Sequence, residues 1–222
     1  MRQKRWQNQY IALLESMPEL ILRCPEGLPA PFEAEFLTQK LNRFEKVIAE
    51  LGCGSGGHLV AQAKLNPMAL FLGFELRSTR TFRSAEKAKD ENLDNLIFLR
   101  CDARRIAEVL SEDSLSGIYI NFPDPWADRR KWAKHKLLKG SFLSLLCSML
   151  RPGGFISYKT DHAPSFADTH ALIKENPLLS ITKLSQNLHH SEYLQGNVFS
   201  EFERLFHSKG FPVFFIEAAK TT

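Results

Sequence analysis

The feature that most constrains the fold of this chain is an alternation. Short apolar runs at 47–51, 70–74, 96–99, 117–121 and 154–159 are separated by helically patterned windows near 59–65, 78–92, 103–110 and 140–150. Strand followed by helix, repeated, is what a parallel sheet covered by helices requires. A helix after Asp161, a strand at 179–184, a helix at 200–208 and a last strand at 213–218 extend the pattern. The expected fold is therefore α/β: a doubly wound, mostly parallel seven-stranded sheet with helices on both faces. With 222 residues, 44% of them hydrophobic, the chain suits one such domain with a few attachments. Residues 1–40 carry a helical pattern at 10–17 and a Pro-rich stretch at 24–31. They read as a helical, basic and partly mobile lead-in, and 41–222 as the domain proper.

Composition excludes several classes. There is no run of about 18 apolar residues, and Met1-Arg2-Gln3-Lys4-Arg5-Trp6 has no apolar stretch behind it, so a soluble, cytoplasmic protein is expected. Cys24, Cys53, Cys101 and Cys147 lack the paired spacing of a zinc site and the density of a disulfide scaffold. Buried, reduced thiols and no metal are expected. The formal net charge is only +4, but Arg129, Arg130, Lys131, Lys134, Lys136 and Lys139 crowd one segment, and Arg2, Lys4 and Arg5 another. Such runs are usually solvated faces, and they are also what an RNA backbone would meet.

In sheets of this kind ligands bind at the carboxyl ends of the strands, where the unusual residues of this chain fall. Glu50-Leu51-Gly52-Cys53-Gly54-Ser55-Gly56-Gly57-His58 turns the first strand into the first helix. Glycines such as Gly52 and Gly54 let a ligand approach the backbone there, and the helix start offers free N–H groups. Glu75, at the end of the second strand, is placed to accept from both hydroxyls of an adenosine ribose. Asp102 closes the third strand and suits an adenine edge, while Ala103 is small enough for a ring to lie flat. Glu50 separates two cofactors. A carboxylate there opposes the pyrophosphate of a nicotinamide dinucleotide but accepts from the ammonium of a methionine moiety, which favours S-adenosylmethionine. Asn121-Phe122-Pro123-Asp124-Pro125-Trp126 ends the fourth strand with two prolines that stiffen the loop and one carboxylate, Asp124, able to orient a purine.

Taken together, Glu50 to Gly56, Gly73-Phe74-Glu75, Asn121 to Trp126 and Lys159-Thr160-Asp161 resemble the tRNA (guanine-N7)-methyltransferases. The likeness runs from about Val47 to Glu217, through Leu188-His189, Gly196-Asn197, Ser200-Glu201-Phe202-Glu203 and Phe211-Pro212. It implies a class I methyltransferase of Rossmann-like fold, with the last strand antiparallel, that uses S-adenosylmethionine to methylate the guanine at position 46 of the tRNA variable loop. Glu50, Glu75, Asp102, Asn121 and Asp124 then fall on cofactor and catalytic positions, and Asp161, Ser200 and Glu203 on substrate positions. The chain departs from the family pattern at Asp128, a substrate position where a lysine is expected, and has Ser200 and Phe202 for threonine and tyrosine. The expected partner is tRNA, bound through Arg129, Arg130, Lys131, Lys134 and Lys136, with no membrane and no obligate protein partner, the chain being a monomer or homodimer. A different methyl acceptor and a non-catalytic RNA-binding relative are the competing readings.

Overall fold

The structure is a computed structural model that describes residues 9–24, 31–125 and 136–221. Among these residues the alternation becomes eight strands, β1 (Ile21–Arg23), β2 (Lys46–Leu51), β3 (Ala69–Glu75), β4 (Leu96–Arg100), β5 (Leu115–Asn121), β6 (Leu150–Thr160), β7 (Leu179–Ser185) and β8 (Phe214–Lys220). They form one sheet in the order β1-β4-β3-β2-β5-β6-β8-β7, in which β8 alone runs antiparallel to its neighbours. The order reverses between β2 and β5, the switch point at which sheets of this kind bind ligands. β3 is buried along its whole length, as expected for a central parallel strand covered on both faces.

The helices are α1 (Gln9–Leu14), α2 (Pro31–Arg43), α3 (Gly57–Leu65), α4 (Ser78–Asp90), α5 (Gly140–Met149), α6 (Ala163–Glu175) and α7 (Glu201–Ser208). One buried cluster joins Leu72, Ile97, Ile118, Ile156 and Ile216 of the sheet to Phe142, Leu146 and Ile173 of α5 and α6. A second joins Phe71 and Phe98 to Leu59 and Ala63 of α3 and Ala85 and Ala88 of α4.

Two expectations are corrected. The sheet has eight strands and not seven, because β1 pairs alongside β4, and Leu14, Met17, Leu20 and Ile21 before residue 41 are buried in the second cluster. A three-residue strand buried on both faces has too little length to show alternation. The window at 103–110 is a 3-10 turn, Ala103–Glu108, with Arg105 off helical geometry at φ −99°. The Asp102 side chain accepts from the Arg104 N–H and closes a short turn at its start.

Candidate active site

The carboxyl ends of β2 to β5 meet in register, Leu51 opposite Phe74 and Glu75 opposite Arg100, so residues that are distant in sequence share one rim. The glycine turn is bound to β3, since Gly52 and Cys53 both donate to the Phe74 carbonyl, at 2.8 and 3.0 Å. Gly54 has φ +59°, a conformation that strains any side chain, and its N–H donates to Glu75 Oε2 at 3.1 Å. A Cβ at Gly56 would lie 2.7 Å from that of Ser84, so this glycine lets α3 and α4 approach. Arg77 N–H holds Glu75 Oε1 at 2.8 Å. The carboxylate is thereby fixed between the turn and α4.

Here lies a cavity of about 380 Å³ whose walls include Gly52, Glu75, Asp102, Ala103, Asn121 and Asp124. Six of the sequence-derived candidates thus come together. Asp102 is gripped by the Arg104 guanidinium, whose hydrogen bonds hold its carboxyl below the usual carboxylate range. Phe122 takes the left-handed conformation, φ +49°, which for a bulky residue is a strained bend. Its N–H donates to the Lys159 carbonyl at 2.9 Å and its ring rests on Phe206, 5.4 Å between centroids. The bend leads Pro123 and Asp124 into the cavity wall.

Glu50 differs from expectation. It is 2% exposed and is absent from the cavity lining. Oε1 accepts from Asn121 Nδ2 at 2.8 Å and Oε2 lies 3.1 Å from His58 Nδ1. Because a carboxylate can only accept, the Asn121 amide must turn its nitrogen to Glu50. Its Oδ1 is then a buried acceptor without a partner among the described residues. The cavity therefore meets Asn121, with the charge of Glu50 one hydrogen bond behind.

Ser200 and Glu203, expected at the substrate, are engaged internally. They form the capping box that starts α7, with Glu203 N–H donating to Ser200 Oγ at 3.1 Å. Glu203 is fully buried, accepting from Lys159 Nζ at 2.9 Å and Asn197 Nδ2 at 2.6 Å, with His189 Nε2 at 3.2 Å. Burial pushes the Glu203 carboxyl up, but the Lys159 ammonium and the other donors outweigh it and hold it below its ordinary value. Burial also pulls Lys159 down, against the attraction of Glu203. With three oxygens around Nζ, those of Asn197, Val198 and Glu203, the pair is read as charged. Asp161 is exposed just beyond the end of β6. Lys136 is paired with Asp168 on α6 at 2.7 Å. Asp128, Arg129, Arg130, Lys131 and Lys134 lie outside the described residues.

Sequence reasoning assigned no role to His58, Lys159, Asn197 or His189. All four stand in the motifs named above: His58 meets Glu50 eight positions away and Asn197 meets Glu203 six away, whereas Lys159 and His189 reach Glu203 only through the fold. No group of three or more metal-ligating side chains occurs among the described residues, and no helix there is long and apolar enough to cross a membrane.

A family described as "Putative methyltransferase" matches residues 44–216. A tRNA (guanine-N(7)-)-methyltransferase of Lactobacillus gasseri is 32% identical over 98% of both chains, and one of Listeria monocytogenes is 30% identical over 92% of both. A "Bifunctional glycosyltransferase/methyltransferase" of Fusobacterium nucleatum is 28% identical over 96% of this chain, which spans 33% of that protein's length. Among solved structures, the 16S rRNA methyltransferase KamB has a TM-score of 0.61 at 15% identity, covering 87% of this chain and 96% of that one, a likeness of fold. The match at 44–216 and the relatives that align along nearly their whole length agree, and the chain belongs to the tRNA (guanine-N7)-methyltransferase family.

Proposed function

We propose that this chain transfers the methyl group of S-adenosylmethionine to N7 of a guanine in the tRNA variable loop. The observation that carries the cofactor is the Asn121 Oδ1 acceptor, buried at the cavity wall and backed by the Glu50 carboxylate. That pair suits an ammonium and would repel a pyrophosphate. The cavity volume, about 380 Å³, lies in the range of small-molecule sites. Asn121, with Glu50 behind it, would hold the amino-acid end, Gly52 would admit the chain past the turn, and Gly54 would fix Glu75. Glu75 would accept from the ribose hydroxyls, and Asp102 and Ala103 would flank the adenine.

When bound, the cofactor supplies an electrophilic methyl on a sulfonium. Guanine N7 carries an in-plane lone pair and no proton, so the chain need not provide a general base. Its contribution is positioning, worth about 7–11 kcal/mol where the geometry is good. The methylated ring is cationic, and Asp124, held by the Phe122 bend, would stabilise the charge as it develops. Asp161 and Asp128 would contact the nucleotide, and Arg129, Arg130, Lys131 and Lys134 its phosphates. Ser200 and Glu203 would act through the loop they secure.

The names of the relatives support the acceptor, and the same reading takes the chain as a cytoplasmic monomer or homodimer with no obligate protein partner. The test is methyl transfer from labelled S-adenosylmethionine to unmodified bulk tRNA, with chemical mapping of 7-methylguanosine. Label at the variable-loop guanine is expected. Cofactor binding without label in tRNA would overturn the acceptor and leave the cofactor.

A further inference from the structure

His58 stands in the first turn of α3, 3% exposed. Its Nδ1 lies 3.1 Å from Glu50 Oε2, and its Nε2 lies 3.4 Å from the Gln62 amide nitrogen. Nδ1 also lies 3.2 Å from Asn121 Nδ2, which already donates to Glu50; because the carboxylate can only accept, the ring hydrogen is assigned to Nδ1, and Nε2 is then the acceptor for Gln62. Tyr119 packs edge-on against the ring, with centroids 4.9 Å apart and planes at 82°. Asn121 donates to the other Glu50 oxygen. The carboxylate is thus clamped by one donor from α3 and one from β5. A ring that only filled space would not need a nitrogen directed at a carboxylate in so dry a place.

We infer that His58 is a positioning residue for the amino-acid end of the cofactor: its Nδ1–H fixes the Glu50 carboxylate, and Glu50 in turn fixes which face of the Asn121 amide is left for the ligand. This rests on the cofactor reading above. Without the imidazole donor Glu50 keeps one anchor, and the plane of the carboxylate, with the Asn121 amide it orients, is free to turn. His58 itself does not line the cavity and touches no reacting atom.

The test is a binding cycle read by calorimetry with S-adenosylmethionine alone, without RNA. His58→Phe keeps a ring and removes the donor, whereas His58→Asn keeps an N–H close to Nδ1. The phenylalanine variant should bind about tenfold more weakly or worse, the asparagine variant close to the unaltered chain, and tRNA affinity should hold in both. In a Glu50→Gln background the loss caused by His58→Phe should disappear, because His58 acts through that carboxylate. Equal binding by both His58 variants and the unaltered chain, or a loss that persists in the Glu50→Gln background, overturns the inference alone. Absence of binding by the unaltered chain overturns the cofactor reading together with it. A direct measurement complements the cycle: proton–nitrogen correlation spectra of the ligand-free protein should show His58 with its hydrogen on Nδ1. A hydrogen on Nε2 overturns the inference, and this measurement decides by itself if the phenylalanine variant does not fold.

Discussion

Asp124 lies in a loop whose conformation is set by its neighbours. Phe122 is bent into the left-handed region and held by the Lys159 carbonyl and by Phe206, and prolines flank Asp124 on both sides. The carboxylate is exposed at the cavity wall, and no hydrogen bond or ion pair with the described residues is lost with its charge. Asp124→Asn keeps the shape and removes the charge that would face a cationic ring. Steady-state kinetics with tRNA should show kcat lowered about 10²-fold, the scale for losing one preorganised electrostatic group, with S-adenosylmethionine affinity held. Full kcat in this variant would remove Asp124 from the catalytic role. Among single residues, the acids at strand ends were legible because a carboxylate before a glycine turn is chemically unusual wherever the chain folds. His58 was not, because a histidine acquires a role only from what it meets, and although Glu50 is eight positions away, it is the fold of strand, turn and helix that brings its carboxylate against the ring.

Lys159 of β6 is bound to Asn197 and Val198 of the loop and to Glu203 of α7, so one buried ion pair ties the sheet to the segment that follows β7. Lys159→Met leaves the Glu203 charge buried without its partner and should cost about 3–5 kcal/mol, read as a fall in Tm, with much of it recovered by adding Glu203→Leu. The pH dependence has a definite sign. The folded-state value of Glu203 lies below its unfolded value, so its contribution is present above about 4.5 and is lost as pH falls through the folded value. Glu203→Gln should therefore flatten the dependence of Tm on pH below that point, and an unchanged slope would count against the charged pair. The expectation of Ser200 and Glu203 at the substrate came from their place in a motif. A motif does not distinguish a residue that touches a ligand from one that holds the loop beside it. Seven of the strands were legible in their apolar runs, whereas β1 was not, because Leu20-Ile21-Leu22 is too short to have a period.

At the scale of the whole molecule, charge must do what shape does not. A formal net charge of +4 on 222 residues is too small to attract RNA from all directions, so binding should depend on where the cations cluster. The densest cluster is Arg129, Arg130, Lys131 and Lys134, directly after the loop that carries Asp124. Lys136 belongs to it in sequence, but its ammonium is engaged by Asp168. Each phosphate contact releases counterions, so the affinity for tRNA should fall steeply with added salt, by a logarithmic slope of roughly 0.7–0.9 per contact. Replacing Arg129, Arg130 and Lys131 together by alanine should lower that slope by about two and weaken all tRNAs alike, since phosphate contacts carry no sequence information. Lys136→Ala should leave the slope as it is. Titrations of tRNA binding at several salt concentrations decide the matter. If the triple variant keeps the slope of the unaltered chain, the cluster is a solvated face and the RNA is held elsewhere. If Lys136→Ala lowers it, the Asp168 pair opens when RNA binds.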